Sequence, residues 1–77
     1  MTRLPAVTAR QLVAVAERDG VVFDRQKGSH AVYVRKTEFG TTMIVVPMPK
    51  GRSLKRGTLH GLIDDMGLST KEFIDLL

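Results

Sequence analysis

The chain has 77 residues, 43 % of them hydrophobic, no cysteine and a net charge of +4, which describes one domain, residues 1–77, and excludes a disordered chain, a disulfide framework and a thiolate metal site. The apolar run at residues 43–47 is far short of the ~20 residues a spanning helix needs, so no membrane partner is expected. The N-terminus also lacks the continuous apolar core of a secretory signal, and the expected compartment is the cytoplasm.

In chain order, Thr8 and Gln11 have the spacing of a capping box, in which hydroxyl and amide side chain satisfy each other's free backbone groups. Ala9, Leu12, Val13 and Ala16 follow at helical spacing and Gly20 suits the C′ position, predicting a helix over residues 9–19. Val21, Val22 and Phe23 open a β-rich segment that turns at Lys27, Gly28 and Ser29. Residues 30–36 are the second strand, residues 37–40 a hairpin connection and residues 41–46 the third strand. Pro47 and Pro49 end the sheet, because proline cannot donate to a ladder.

Residues 48–56 then read as a basic loop containing Gly51. A second helix begins near Thr58, carries Leu59, Leu62, Ile63 and Met66 on one stripe and stops at Gly67. Ser69 and Glu72 form another capping box, opening a short helix with Phe73, Leu76 and Leu77 on its apolar face. The predicted architecture is α+β, in the order α-β-β-β-α-α: a three-stranded antiparallel sheet with helices on one face. The other face, or one rim of the sheet, is left for binding.

The charge is unevenly spread. Residues 1–24 are neutral overall, residues 25–56 carry +7 and residues 57–77 carry −3. A solvated surface mixes both signs, so a one-signed middle third points to a polyanion, and nucleic acid is the commonest one inside cells. The loop with Lys50, Arg52, Lys55 and Arg56 runs into a helix start. Free amides and the helix dipole there favour a phosphate, with Thr58 either contributing to that site or simply capping the helix.

The segment Arg25, Gln26, Lys27, Gly28, Ser29, His30 is the richest in chemistry. Cutting RNA without metal requires a base for the 2′-hydroxyl proton, an acid for the leaving 5′-oxygen, and positive charge at the phosphorane. Imidazole serves either proton-transfer role near neutrality, and Arg25 and Lys27 supply charge. Strand parity leaves the direction of His30 open: it shares a side with Val32 and Val34, whereas Ala31, Tyr33 and Arg35 point the other way. His60 and Asp64 stand four apart on a helix but lack the further ligands a metal needs and read as a surface pair. Sheet stacking of bases needs several exposed aromatics, and only Tyr33 lies mid-strand.

Over nearly its whole length the chain resembles the HicA-type toxins of bacterial toxin–antitoxin pairs. The resemblance runs through Asp19-Gly20, Phe23, Arg25, the Gln26 to His30 run, Tyr33, Val46-Pro47, Gly51, the Leu54 to Leu59 run and the tail beyond Ile63. It implies a double-stranded-RNA-binding-domain-like fold, a messenger-RNA interferase with its catalytic histidine at His30, no metal cofactor, and a HicB-type antitoxin partner that covers the histidine. On that reading Arg25, Lys27, Gly28, Ser29, Lys50, Arg52, Lys55, Arg56 and Thr58 bind RNA. Two positions depart from the family's habit: Pro49 stands where many members have a second histidine, and Arg56 where a proline is common. The rival expectations are an RNA-binding module without turnover and a subunit whose basic surface docks an acidic protein.

Overall fold

A computed structural model describes residues 3–48 and 52–77, in the element order α1 (Ala9–Arg18), β1 (Val22–Lys27), β2 (His30–Thr37), β3 (Gly40–Pro47), α2 (Arg56–Asp65) and α3 (Thr70–Leu76). This is the α+β arrangement expected. Both predicted capping boxes form. The Gln11 amide donates to the Thr8 hydroxyl at 3.2 Å and the Thr8 amide to the Gln11 side chain at 2.9 Å. Ser69 and Glu72 repeat the exchange at 3.1 and 2.9 Å at the head of α3.

The strands form one antiparallel sheet in the order β1-β2-β3, with β2 central. Its inner face presents Ala31, Tyr33, Ile44 and Val46 to Leu12, Val15 and Ala16 of α1, Leu59, Leu62 and Ile63 of α2, and Phe73 of α3, all buried. Burying each large side chain is worth ~1.5–3 kcal/mol, and these residues carry most of the stability of so small a domain.

Three helix ends converge on two arginines. Arg35, on the inner side of β2, pairs with the Asp19 carboxylate and donates to the Asp19 carbonyl at 3.0 Å and the Met66 carbonyl at 3.5 Å. Asp19 and Met66 are the C-caps of α1 and α2, so one guanidinium meets the negative ends of two helix dipoles. Arg18 donates to the Leu76 carbonyl at the end of α3.

Two local expectations are corrected. The second helix starts at Arg56 with Lys55 as N-cap, which makes no side-chain capping bond, so Thr58 lies inside the first turn and does not cap. Leu54 is buried and its amide donates to the Val7 carbonyl at 2.8 Å. Pinned there, the chain closes its first helical turn on the Lys55 carbonyl, which the Leu59 amide reaches at 2.9 Å. Leu77 lies past the end of α3 and is exposed rather than on its apolar face, and Arg18 donates to the carbonyl of Leu76, the last helical residue. The expectations at Pro49, Lys50 and Gly51 lie outside the described residues.

Candidate functional site

Lys27 pairs with His30, so Gly28 and Ser29 alone connect β1 to β2. A two-residue hairpin with glycine first requires positive φ there, and Gly28 has φ +60°. Gln26 Nε2 donates to the Gly28 carbonyl at 3.0 Å, and the Met48 amide donates to the Ser29 carbonyl at 2.8 Å. The turn is thereby held to the end of β3. His30 opens β2, is exposed, and pairs with Lys27 on one side and Pro47 on the other. Its Nδ1 lies 3.4 Å from the Ser29 Oγ.

The helices cover the face carrying Ala31 and Tyr33, so His30 points to the open face together with Val32 and Val34. An irregularity in β1 brings basic side chains to the same face. Phe23 pairs with Tyr33, but Arg25 pairs with Val32, leaving Asp24 as the extra residue of a β-bulge. Beyond it Arg25 and Lys27 share the side of Val32 and His30. The four line one shallow groove of about 400 Å³ with Met43 and Val45 of β3. Arg25 crosses β2, its Nη2 reaching 4.0 Å from the Met43 Sδ, and is also paired with the neighbouring Asp24 carboxylate. Val22, Met43 and Val45 are exposed here, giving an apolar strip bordered by cations, with Lys36 at its far end beside Val22 and Val34.

A second cavity of about 330 Å³ opens at the same end of the sheet. Pro47, Met48 and Leu54 supply apolar wall; Ser29, Ser53 and Thr58 supply hydroxyls; Arg52 and Lys55 supply charge. It neighbours the His30 groove without sharing a lining residue with it: Ser29 and Pro47 in its wall are respectively the chain neighbour and ladder partner of His30. The structure thus gathers the sequence-derived residues into two adjoining sets: Arg25, Lys27 and His30 on the sheet, and Ser29, Arg52, Lys55 and Thr58 at the cavity. Arg56 is exposed at the first residue of α2 and lines neither. Lys50 lies outside the described residues.

Sequence reasoning missed Met43 and Val45 in the groove and Met48 and Ser53 in the cavity. The alternation of β3 could have signalled the first pair once the direction of β2 was known. Nothing local marks the second, which comes from packing the loop against the end of the sheet. Tyr33 is buried in the core, and burial, with the Glu17 charge second, raises its hydroxyl above the ordinary pKa of 10.0. It stays protonated at neutral pH and offers no stacking platform. His60 and Asp64 are exposed on α2, and among the described residues no group of three His, Asp or Glu side chains comes together around a metal position.

A family model described as HicA toxin of bacterial toxin-antitoxin matches residues 9–68. No curated protein matches the chain.

Proposed function

The chain belongs to the HicA family of toxins of bacterial toxin–antitoxin systems, and from that premise we propose that it is a metal-independent endoribonuclease that cuts messenger RNA in the cytoplasm with His30. The observation that carries this reading is an exposed imidazole flanked by Arg25 and Lys27 in one groove on the uncovered face of the sheet. RNA offers its own nucleophile. The 2′-hydroxyl attacks the adjacent phosphorus, the bond to the 5′-oxygen breaks, and a 2′,3′-cyclic phosphate and a free 5′-hydroxyl result. One proton leaves the 2′-oxygen and one reaches the 5′-oxygen. His30 carries out one of these transfers, an effect worth ~10²- to 10⁴-fold in rate. Arg25 and Lys27 face the phosphorane as its charge grows, where fixed cations act most strongly.

Arg52, Lys55 and Arg56 hold the RNA backbone on either side, and the free amides at the start of α2 favour a phosphate. Gly28 and Ser29 shape the turn that presents His30. The system's antitoxin, of the HicB type, covers the same open face: the strip of Val22, Met43 and Val45 suits a protein's apolar surface, and the surrounding cations suit acidic side chains. RNA and antitoxin then compete for one face, which is how the partner silences the toxin.

A second reading, an RNA-binding module without turnover, is favoured by one feature. Among the described residues no carboxylate lines the His30 groove, and Asp24, the chain neighbour of Arg25, is engaged by that arginine, so His30 has no anionic partner there to act as the second proton-transfer group. Cleavage of a long messenger RNA in EDTA, wild type against His30→Ala, separates the two. Fragments from the wild type alone establish metal-free catalysis through His30. Equal, salt-dependent RNA binding by both with no fragments from either gives the function to the binding module.

A further inference from the structure

The cavity beside Ser29 has a chemistry different from that of the His30 groove. A site for phosphate alone needs donors and charge but no apolar wall, since carbon surface does nothing for a strongly hydrated anion. Here Pro47, Met48 and the buried Leu54 form such a wall. A purely aliphatic ligand would in turn leave three hydroxyls facing carbon. The ligand that matches both is flat, with apolar faces and a polar edge.

Two of the hydroxyls are placed to read that edge. Thr58 stands in the first turn of α2 without capping it. Among the described residues neither the Thr58 nor the Ser53 side chain makes a hydrogen bond within the protein. A guanidinium plane such as that of Arg52, at the same cavity, stacks on heteroaromatic rings. At about 330 Å³ the cavity also reaches the lower end of the range for small-molecule sites.

We propose that this cavity is a nucleobase pocket, which takes one unpaired base next to the phosphate at His30 and reads its edge through Ser53 and Thr58. The proposal rests on the reading of the chain as an RNA-directed protein, and gives it a specificity determinant separate from the His30 groove, whose cations Arg25 and Lys27 are assigned to the phosphate. Adjacency follows from the ladder, because Pro47 both lines the cavity and pairs with His30.

The test is an NMR titration of the full-length protein with the four nucleoside 3′-monophosphates, and with ribose 5-phosphate as a probe that has no base. One nucleotide is expected to bind about fivefold to tenfold more tightly than the weakest, as one or two hydrogen bonds allow, and to shift the amides of Ser53, Leu54 and Thr58. Thr58→Val, nearly isosteric, and Ser53→Ala at an exposed position should each reduce that preference. Should Thr58→Val fail to fold, Ser53→Ala still decides. Binding of ribose 5-phosphate as tightly as any nucleotide, or a preference unmoved by Ser53→Ala and any folded Thr58→Val, overturns the pocket. Sequencing the ends of RNA fragments cut by the wild type separates the two ideas. Cutting without nucleotide preference in the titration removes the pocket and leaves the ribonuclease; selective nucleotide binding without cutting does the reverse.

Discussion

Phe23 and Arg25 stand two apart on one strand yet face opposite sides of the sheet. Phe23 pairs with Tyr33 and sets its ring edge-on to it at 5.5 Å, while Arg25 pairs with Val32 and reaches over the open face to Met43. The extra residue between them, Asp24, makes this possible. A regular strand would send both side chains to the same side. The bulge lets β1 contribute an aromatic to the rim of the core and two cations to the groove at His30.

Asp24 also holds the Arg25 guanidinium, in competition with any phosphate. Asp24→Asn should therefore raise RNA affinity severalfold at low salt. The gain should fade toward 1 M salt, where screening reaches only ~3 Å. Fluorescence anisotropy with a short single-stranded RNA across a salt series checks this, and an unchanged affinity at low salt would show that Arg25 takes no part in RNA binding.

Arg35 belongs to the basic middle third of the chain but faces the helices. Arg35→Met removes a guanidinium shared by the C-caps of α1 and α2 and should cost ~1–3 kcal/mol. For a domain of this size each kcal/mol lowers Tm by roughly 4–8 °C. The salt dependence of RNA binding should stay as it is, whereas Lys55→Ala should reduce the slope by about 1. A shallower salt slope for Arg35→Met would place this residue on the RNA path after all.

Met43 is half-exposed in the middle of the strip assigned to the antitoxin. Met43→Asp puts an anion into the centre of an apolar contact and should weaken the complex at least ~10-fold. Melting should change little, because the side chain is outside the core. Isothermal titration against the antitoxin reads the affinity; wild-type affinity would move the contact to another face.

The α3 capping box carries a pH dependence with a definite sign. Backbone and side-chain hydrogen bonds from Ser69 hold the Glu72 carboxyl below its ordinary pKa of 4.5. A lowered folded-state value adds stability above the unfolded value, and this is lost as pH falls through the folded one. Thermal melts should thus show a Glu72 contribution present at neutral pH that shrinks on acidification below about 4.5. Glu72→Gln, which keeps an acceptor without the charge, should flatten that part of the profile; an identical acid limb in wild type and variant would remove Glu72 as its source.

Much of this molecule was legible in its residues. Thr8 with Gln11 and Ser69 with Glu72 announce two helix starts, Gly28 announces a tight turn, and the alternation through β2 and β3 announces strands. These signals are local, since each concerns backbone groups within a few residues, and they set the element order; the likeness to the HicA family rests instead on particular runs such as Gln26 to His30 and Leu54 to Leu59. The direction of His30 was not legible, because parity divides β2 into two sides without saying which the helices cover. That depends on which side of the sheet gains more burial, and Ala31 and Tyr33 with Ile44 and Val46 decide it. The start of α2 was misjudged for a related reason: Leu54 is anchored by the Val7 carbonyl from the far end of the chain. The bulge at Asp24 likewise shows only in its pairing with β2. Sequence alone therefore determined the elements, the basic middle third and the imidazole beside its cations. Tertiary structure alone decided that His30, Arg25 and Lys27 share the uncovered face and that the loop beyond β3 walls a cavity beside them, because long-range burial and strand register are properties of the folded chain.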